Sequence, residues 1–329
     1  MARPRIAVLY MGGSIGMVQN QKTGRIDPVE SLSEIHRFLP EAQREVALDF
    51  HSLANVGSSE VTPSHWVDIC NTITNLYDSC EGFVVIHGTN TMSYTACAVA
   101  FALQNLSKPI VFTGSLLPLN DLGSDGRMNL TFAIRAAQLD IAEVCVVLGP
   151  HVLRGVRSKK VEQSIFQTFD TPKFPPLAEF NATTMQHPNR FVRRKRVLSE
   201  AIGFDPDVVS ITVHPGMPEK FFDAVLAVKP HGIVLRAYGP GMLPEGLFPW
   251  MRKVTKAEIP LVITSQLLRS SIDLQFFRKQ LQLEELGVIS GKDMTYECAV
   301  VKLMWALNQT ASVKKVQELM EKNLVGEMD

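Results

Sequence analysis

Residues 83–113 read FVVIHGTNTMSYTACAVAFALQNLSKPIVFT. An apolar run of strand length, 83–87, meets a short loop of small hydroxyl residues. Helical spacing follows over 91–106, and a second apolar run fills 109–113. These runs are continuous rather than alternating, which is the pattern of strands covered on both faces. The same succession recurs outward from this segment. Apolar runs occupy 5–10, 143–148, 208–213, 232–236 and 260–264, with helical stretches at 63–77, 127–139 and 219–228. Strands alternating with helices predict an α/β fold built on parallel-rich sheets flanked by helices. Ligands of such sheets sit beyond the carboxyl ends of the strands, so the loops at 11–17, 87–91 and 113–127 are the candidate site.

A chain of 329 residues exceeds what one core supports, so a larger N-terminal and a smaller C-terminal domain are expected. The break falls near 170–205, where DTPKFPPLAEF leads into the basic run RFVRRKRVLSE and then GFDPD. We expect domains at 1–190 and 207–329, joined by a linker over 191–206. Lysines and arginines balance aspartates and glutamates at 33 each. A neutral chain has no field to attract nucleic acid or an anionic membrane, and the basic run reads as a solvated linker or hairpin. The apolar run at the start is too short for a signal peptide, and no later run reaches membrane-spanning length. Five cysteines without a CxxC pair read as reduced, mostly buried thiols of a cytoplasmic protein.

The loop YMGGSIGM (10–17) can cradle a phosphate with its glycines or offer Ser14 as a nucleophile. The first reading fails. Met11 stands where a dinucleotide fingerprint has its first glycine, residues 20–30 are a polar loop without the acidic residue of a second strand, and no Lys-Ser/Thr follows. In the loop HGTNT, Thr89 and Thr91 precede a helix, where hydroxyls serve as caps or help bind an anion. The scattered histidines give no zinc spacing, and FTGSLLP (112–118) lacks the second glycine of a hydrolase elbow. The remaining base for a hydroxyl nucleophile would be a lysine, unless the basic segment 154–162 is simply a solvated turn. Lys159 and Lys160 lie in RGVRSKKVE, where neighbouring cations would lower a buried amine's pKa.

Seven segments together resemble the bacterial-type L-asparaginases, closest to the cytoplasmic type I branch. They are YMGGSIGM, GSSEVTPSHW, FVVIHGTNTMSYTA, VFTGSLLPLNDLGSDGRMNL, RGVRSKKVE, IVLRAYGPG and GKDMTYECAVVKL, in order along essentially the whole chain. The resemblance implies a two-domain α/β fold, homodimers or homotetramers, a small-molecule amide substrate, and neither cofactor nor metal. It implies Ser14 as nucleophile, Thr89 as second hydroxyl, Lys160 as the completing base, Asn90 beside them, and Gly57, Ser58, Ser59 and Glu60 around the substrate. The implied chemistry is attack on a side-chain amide, loss of ammonia and hydrolysis of an acyl-enzyme.

Several positions depart from the family pattern. Ser14 replaces threonine but keeps the hydroxyl. Asn90 replaces an aspartate that pairs with the substrate's α-ammonium. Arg25 stands where a lid tyrosine is expected, and Leu116 where type I has glutamine. Arg236 matches the arginine of the type I allosteric site, but Met242 and Leu267 replace its polar and cysteine neighbours, leaving a former allosteric site. The leading expectation is an amidohydrolase acting on asparagine or an asparagine-related, N-substituted substrate, or one with a further carboxylate for Arg25. The alternative is a catalytically weak homologue that binds an amino acid or regulates a partner.

Overall fold

The computed structural model of the chain describes residues 3–19, 24, 26–28, 35, 39, 42–275 and 278–329. It divides into two compact units, 1–200 and 201–329. The first unit is built on a sheet of strands β1 (Arg5–Tyr10), β2 (Ala47–Ser52), β3 (Gly82–Ile86), β4 (Ile110–Thr113), β5 (Val144–Val147), β6 (His151–Arg154), β7 (Ala178–Phe180) and β8 (Thr184–Gln186). Their order is β8-β7-β6-β5-β4-β3-β1-β2. The five strands from β5 to β2 are parallel, and β6, β7 and β8 extend the sheet antiparallel.

The apolar runs seen in sequence are the central strands, and β3, β4 and β5 are buried at every residue. The edge strand β2 is not among those runs. Its ALDFHS is only half-buried, as one exposed edge requires. Helix α1 (Pro63–Leu76) begins with a capping box in which the Thr62 amide donates to His65 Nδ1 at 3.1 Å, with Pro63 in the first turn. Helix α2 (Met92–Ala102) is apolar around its whole circumference and accordingly buried nearly throughout. Helix α3 (Gly126–Ala136) packs on β4 and β5. Residues 191–200 lie on this first unit. Arg193, expected in a solvated connection, donates to the carbonyls of Ala137 and Leu139 at 2.8 and 2.7 Å.

The second unit holds a parallel sheet, β9 (Val208–Thr212), β10 (Gly232–Ala237), β11 (Leu261–Ser265) and β12 (Ile289–Ser290), in sequence order. Helices α4 (Glu219–Ala227), α5 (Phe248–Lys256), α6 (Arg278–Glu285), α7 (Tyr296–Gln309) and α8 (Val313–Glu321) complete it. Lys302 of α7 and Glu327 form an ion pair of 2.6 Å with both side chains fully buried. Lys302 also donates to the carbonyls of Met320 and Lys322, while Glu327 accepts from the amides of Leu324 and Val325. Removing one partner of such a pair strands the other charge. Glu327→Gln, whose amide oxygen can still accept, is expected to cost about 3 kcal/mol of unfolding free energy. A urea titration reads that loss as a lower midpoint at unchanged slope.

All five cysteines are free and buried. Among the described residues, no helix is long and apolar enough to cross a membrane.

Candidate active site

Three loops at the carboxyl ends of β1, β2 and β3 meet through their backbones. The Met11 amide donates to the Ile86 carbonyl at 2.9 Å, and the Val56 amide to the Met11 carbonyl at 3.0 Å. Gly12 and Gly13 follow with φ of 108° and 91°, a region that favours glycine. Space demands glycine as well. A Cβ on Gly12 would stand 2.6 Å from Val56 N, and one on Gly13 2.6 Å from Gly88 Cα. Gly88 in turn abuts Ser58, whose Cβ would be 2.8 Å from a side chain there. The loop bearing Ser14 is therefore locked between the 53–60 and 87–91 loops.

Ser14 opens the 3-10 turn Ser14–Gly16, half-buried. A short antiparallel pair, Met17–Gln19 with Ile26–Pro28, follows that turn in place of the helix a phosphate cradle needs.

Lys160 reaches the same loops from a two-residue strand paired with Phe169–Asp170. Its Nζ donates to Thr89 Oγ1 and to Asn90 Oδ1, both at 2.8 Å. Thr89 is buried and Asn90 exposed. Burial holds the Lys160 amine below its ordinary pKa. This corrects the sequence expectation that neighbouring cations would do so: desolvation is the cause, because partial removal from water disfavours the charged form. An ammonium only donates, so Asn90 must turn its carbonyl oxygen to Lys160. Its amide nitrogen, a donor, has no partner among the described residues.

Thr91 precedes α2, but its hydroxyl makes no capping bond. It donates instead to the Ser58 carbonyl at 2.7 Å, and the main-chain N–H of Asn90 donates to Ser58 Oγ at 3.2 Å. A tertiary partner has displaced the local cap. Ser58 is buried, whereas Gly57, Ser59 and Glu60 are exposed, with Ser59 Oγ donating to Glu60 Oε1 at 3.3 Å. Ser14, Thr89, Asn90, Lys160 and the 57–60 turn thus stand on adjoining loops of the first unit. Arg25 lies outside the described residues.

Arg236 belongs to the second unit, at the carboxyl end of β10. Its guanidinium lies 4.7 Å from the Tyr296 ring centroid, and its Nε has no partner among the described residues.

Two supports escape the sequence. Asp125, buried at the start of α3, accepts from the amides of Leu116 and Leu117 at 3.0 and 3.2 Å. Asn129 donates to the Gly114 carbonyl and to Asp125 Oδ2, both at 2.9 Å, and accepts from the Gly149 amide at 2.9 Å. Together they fix the loop after β4, which adjoins the Ser14 turn where Gly126 faces Ile15. An acidic residue and an asparagine one turn apart at a helix start were the available signal.

Residues 5–192 match the family model "Asparaginase, N-terminal", and residues 207–320 match "Glutaminase/Asparaginase C-terminal domain". The chain is 32% identical to L-asparaginase 1 of Escherichia coli, over all of this chain and 99% of that one. It is also 32% identical to one component of the glutamyl-tRNA(Gln) amidotransferase of Pyrococcus furiosus, over 99% of this chain and 77% of the relative. The crystal structure of L-asparaginase I from Vibrio cholerae superposes with a TM-score of 0.90 at 31% identity, covering both chains completely.

Proposed function

This chain belongs to the asparaginase family and is an amidohydrolase, and on that premise we propose that it hydrolyses the side-chain amide of asparagine or of an asparagine whose α-amine is substituted. Ser14 Oγ attacks the amide carbon, the C–N bond breaks, and ammonia leaves with the proton that the hydroxyl gave up. Water then splits the Ser14 ester, releasing a carboxylate and restoring the hydroxyl. Thr89 and Lys160 move the protons in both halves. Ser58 and the exposed Gly57, Ser59 and Glu60 bind the rest of the substrate.

The observation that carries this reading is the single half-buried amine at 2.8 Å from both Thr89 Oγ1 and Asn90 Oδ1. A lysine with a lowered pKa, hydrogen-bonded to a hydroxyl, can accept that hydroxyl's proton once it is neutral. The kinship with amidohydrolases does not favour a catalytically weak regulator. The protein works in the cytoplasm as a homodimer or homotetramer; five buried free thiols suit a reducing compartment.

Asn90 sets the preference between free and substituted substrates. Its side-chain nitrogen, without a partner among the described residues, is a donor, and a free α-ammonium cannot accept from it, whereas an N-acyl carbonyl can. Asn90→Asp replaces that donor with a charge that pairs with an ammonium, a gain of about 1.5–3 kcal/mol. That corresponds to about 10–100-fold in kcat/KM for free asparagine, with a fall for N-acetylasparagine. Ammonia release from both substrates checks this. An unchanged ratio would remove Asn90 from the specificity and leave the chemistry standing.

A further inference from the structure

Tyr10 is the last residue of β1, separated from the Ser14 turn only by Met11, Gly12 and Gly13. Its side chain is 2% exposed. The phenol O–H is shared between two acceptors, Asn55 Oδ1 at 3.0 Å and the Gly16 carbonyl at 3.3 Å. Its main-chain carbonyl accepts from the amides of Leu53 and Ala54 at 3.0 and 3.2 Å. One residue thus holds the 53–60 loop with its backbone and ties both that loop and the end of the Ser14–Gly16 turn with its hydroxyl.

Gly16 sits on the phenol so closely that a Cβ would stand 2.5 Å from Tyr10 Cε2. The near end of the turn is wedged by Gly12 and Gly13 between Val56 and Gly88. The far end rests on Tyr10.

We propose that Tyr10 is a positioning residue for the nucleophile. Its hydroxyl clamps the Gly16 carbonyl and Asn55, and so holds Ser14 Oγ in line with the substrate carbon. This rests on Ser14 being the nucleophile. A reacting group displaced by about 1 Å can lose about 100-fold in rate, so a hydroxyl that pins one end of a three-residue turn has leverage on kcat. The phenol itself transfers no proton. Burial pushes its pKa up to about 12, so it remains a donor throughout the neutral range.

Tyr10→Phe removes one oxygen and keeps the packing. The expected result with asparagine and N-acetylasparagine, well below the melting temperature, is a kcat lowered by about 10-fold, within the range set by misplacement. KM and the limbs of the pH profile should stay where they are. Asn55→Ala should lower kcat in the same direction, and the double variant should lose clearly less than the product of the single losses, since both act on one turn. The following results overturn the proposal. An unchanged kcat with a lower Tm would make Tyr10 purely structural. A shifted pH limb would put the phenol in proton transfer. A change confined to KM would place it at the substrate. If wild type releases no ammonia from any amide, the assignment of Ser14 falls and Tyr10 falls with it. If wild type is active and Tyr10→Phe equals it, Tyr10 alone falls.

Discussion

Ser14→Ala is expected to reduce ammonia release by about 10⁴-fold or more, the scale on which loss of a covalent nucleophile is felt. The fold should survive. Ser14 is half-buried and its hydroxyl has no hydrogen-bond partner among the described residues, so its deletion strands no polar group. Truncating a half-buried hydroxyl that strands no partner is expected to cost little, on the order of 0.5 kcal/mol. Inactivity in Ser14→Ala would then report chemistry rather than unfolding. The measurements are ammonia release, the melting temperature and intact mass during turnover, in which wild type carries an acyl increment and the variant none. Turnover by Ser14→Ala at the wild-type rate would move the nucleophile elsewhere on these loops, Thr89 being the other hydroxyl at hand.

Lys160→Met is expected to cost about 10³-fold, inside the range of about 10²–10⁴ for a general base. The sign of the pH dependence follows from its environment. Burial lowers the amine's pKa, and only the neutral amine can accept a proton. In wild type, kcat/KM should therefore rise with pH and level off above the lowered pKa, earlier than an ordinary lysine would allow. Lys160→Met should lose that rise, and Lys160→Arg should not restore it, because a guanidinium stays protonated. A rise that persists in Lys160→Met would assign the titration to another group.

Stability should rise with pH as well. The unfolded chain binds this proton more tightly than the folded one, so folding is penalised below the folded pKa and the penalty fades as pH climbs toward the unfolded value. At neutral pH Lys160→Met removes this penalty but also the donor to buried Thr89, so its melting temperature should stay near that of wild type. Activity lost while Tm holds or rises is the mark of a group kept for chemistry at some expense to the fold.

The central strands are readable because both faces are covered, so FVVI, IVFT and VCVV are apolar without interruption. The edge strand ALDFHS is not, since one face and one edge meet water. Ser14 and Thr89 stand out in sequence as hydroxyls beside strand and helix ends and Lys160 as an amine in a basic segment, whereas Asn90 enters only through the resemblance to the asparaginases. What sequence spacing cannot show is who holds whom. Thr91 looks like a cap, yet its hydroxyl is taken by Ser58, thirty-three positions away in the chain. Asp125 looks like an ordinary residue at a helix start, yet it binds the amides of a loop that precedes it. Lys160 has cationic neighbours in sequence, while burial alone sets its shift. Each miss is a tertiary partner overriding a local rule.

Gly12, Gly13 and Gly88 bring three loops together through close main-chain approach, and this divides the site into parts of unequal mutability. A methyl group at any of the three would collide with the loop beside it, so lineages carrying one lose the whole arrangement at once. Asn90, Ser59 and Glu60 are exposed, and their exchange disturbs no packing. Inherited change, or a library in the laboratory, can therefore rewrite the rim one residue at a time while the frame beneath stays fixed. If these rim residues bind the substrate as proposed, a descendant can acquire a new one without first having to survive a broken scaffold.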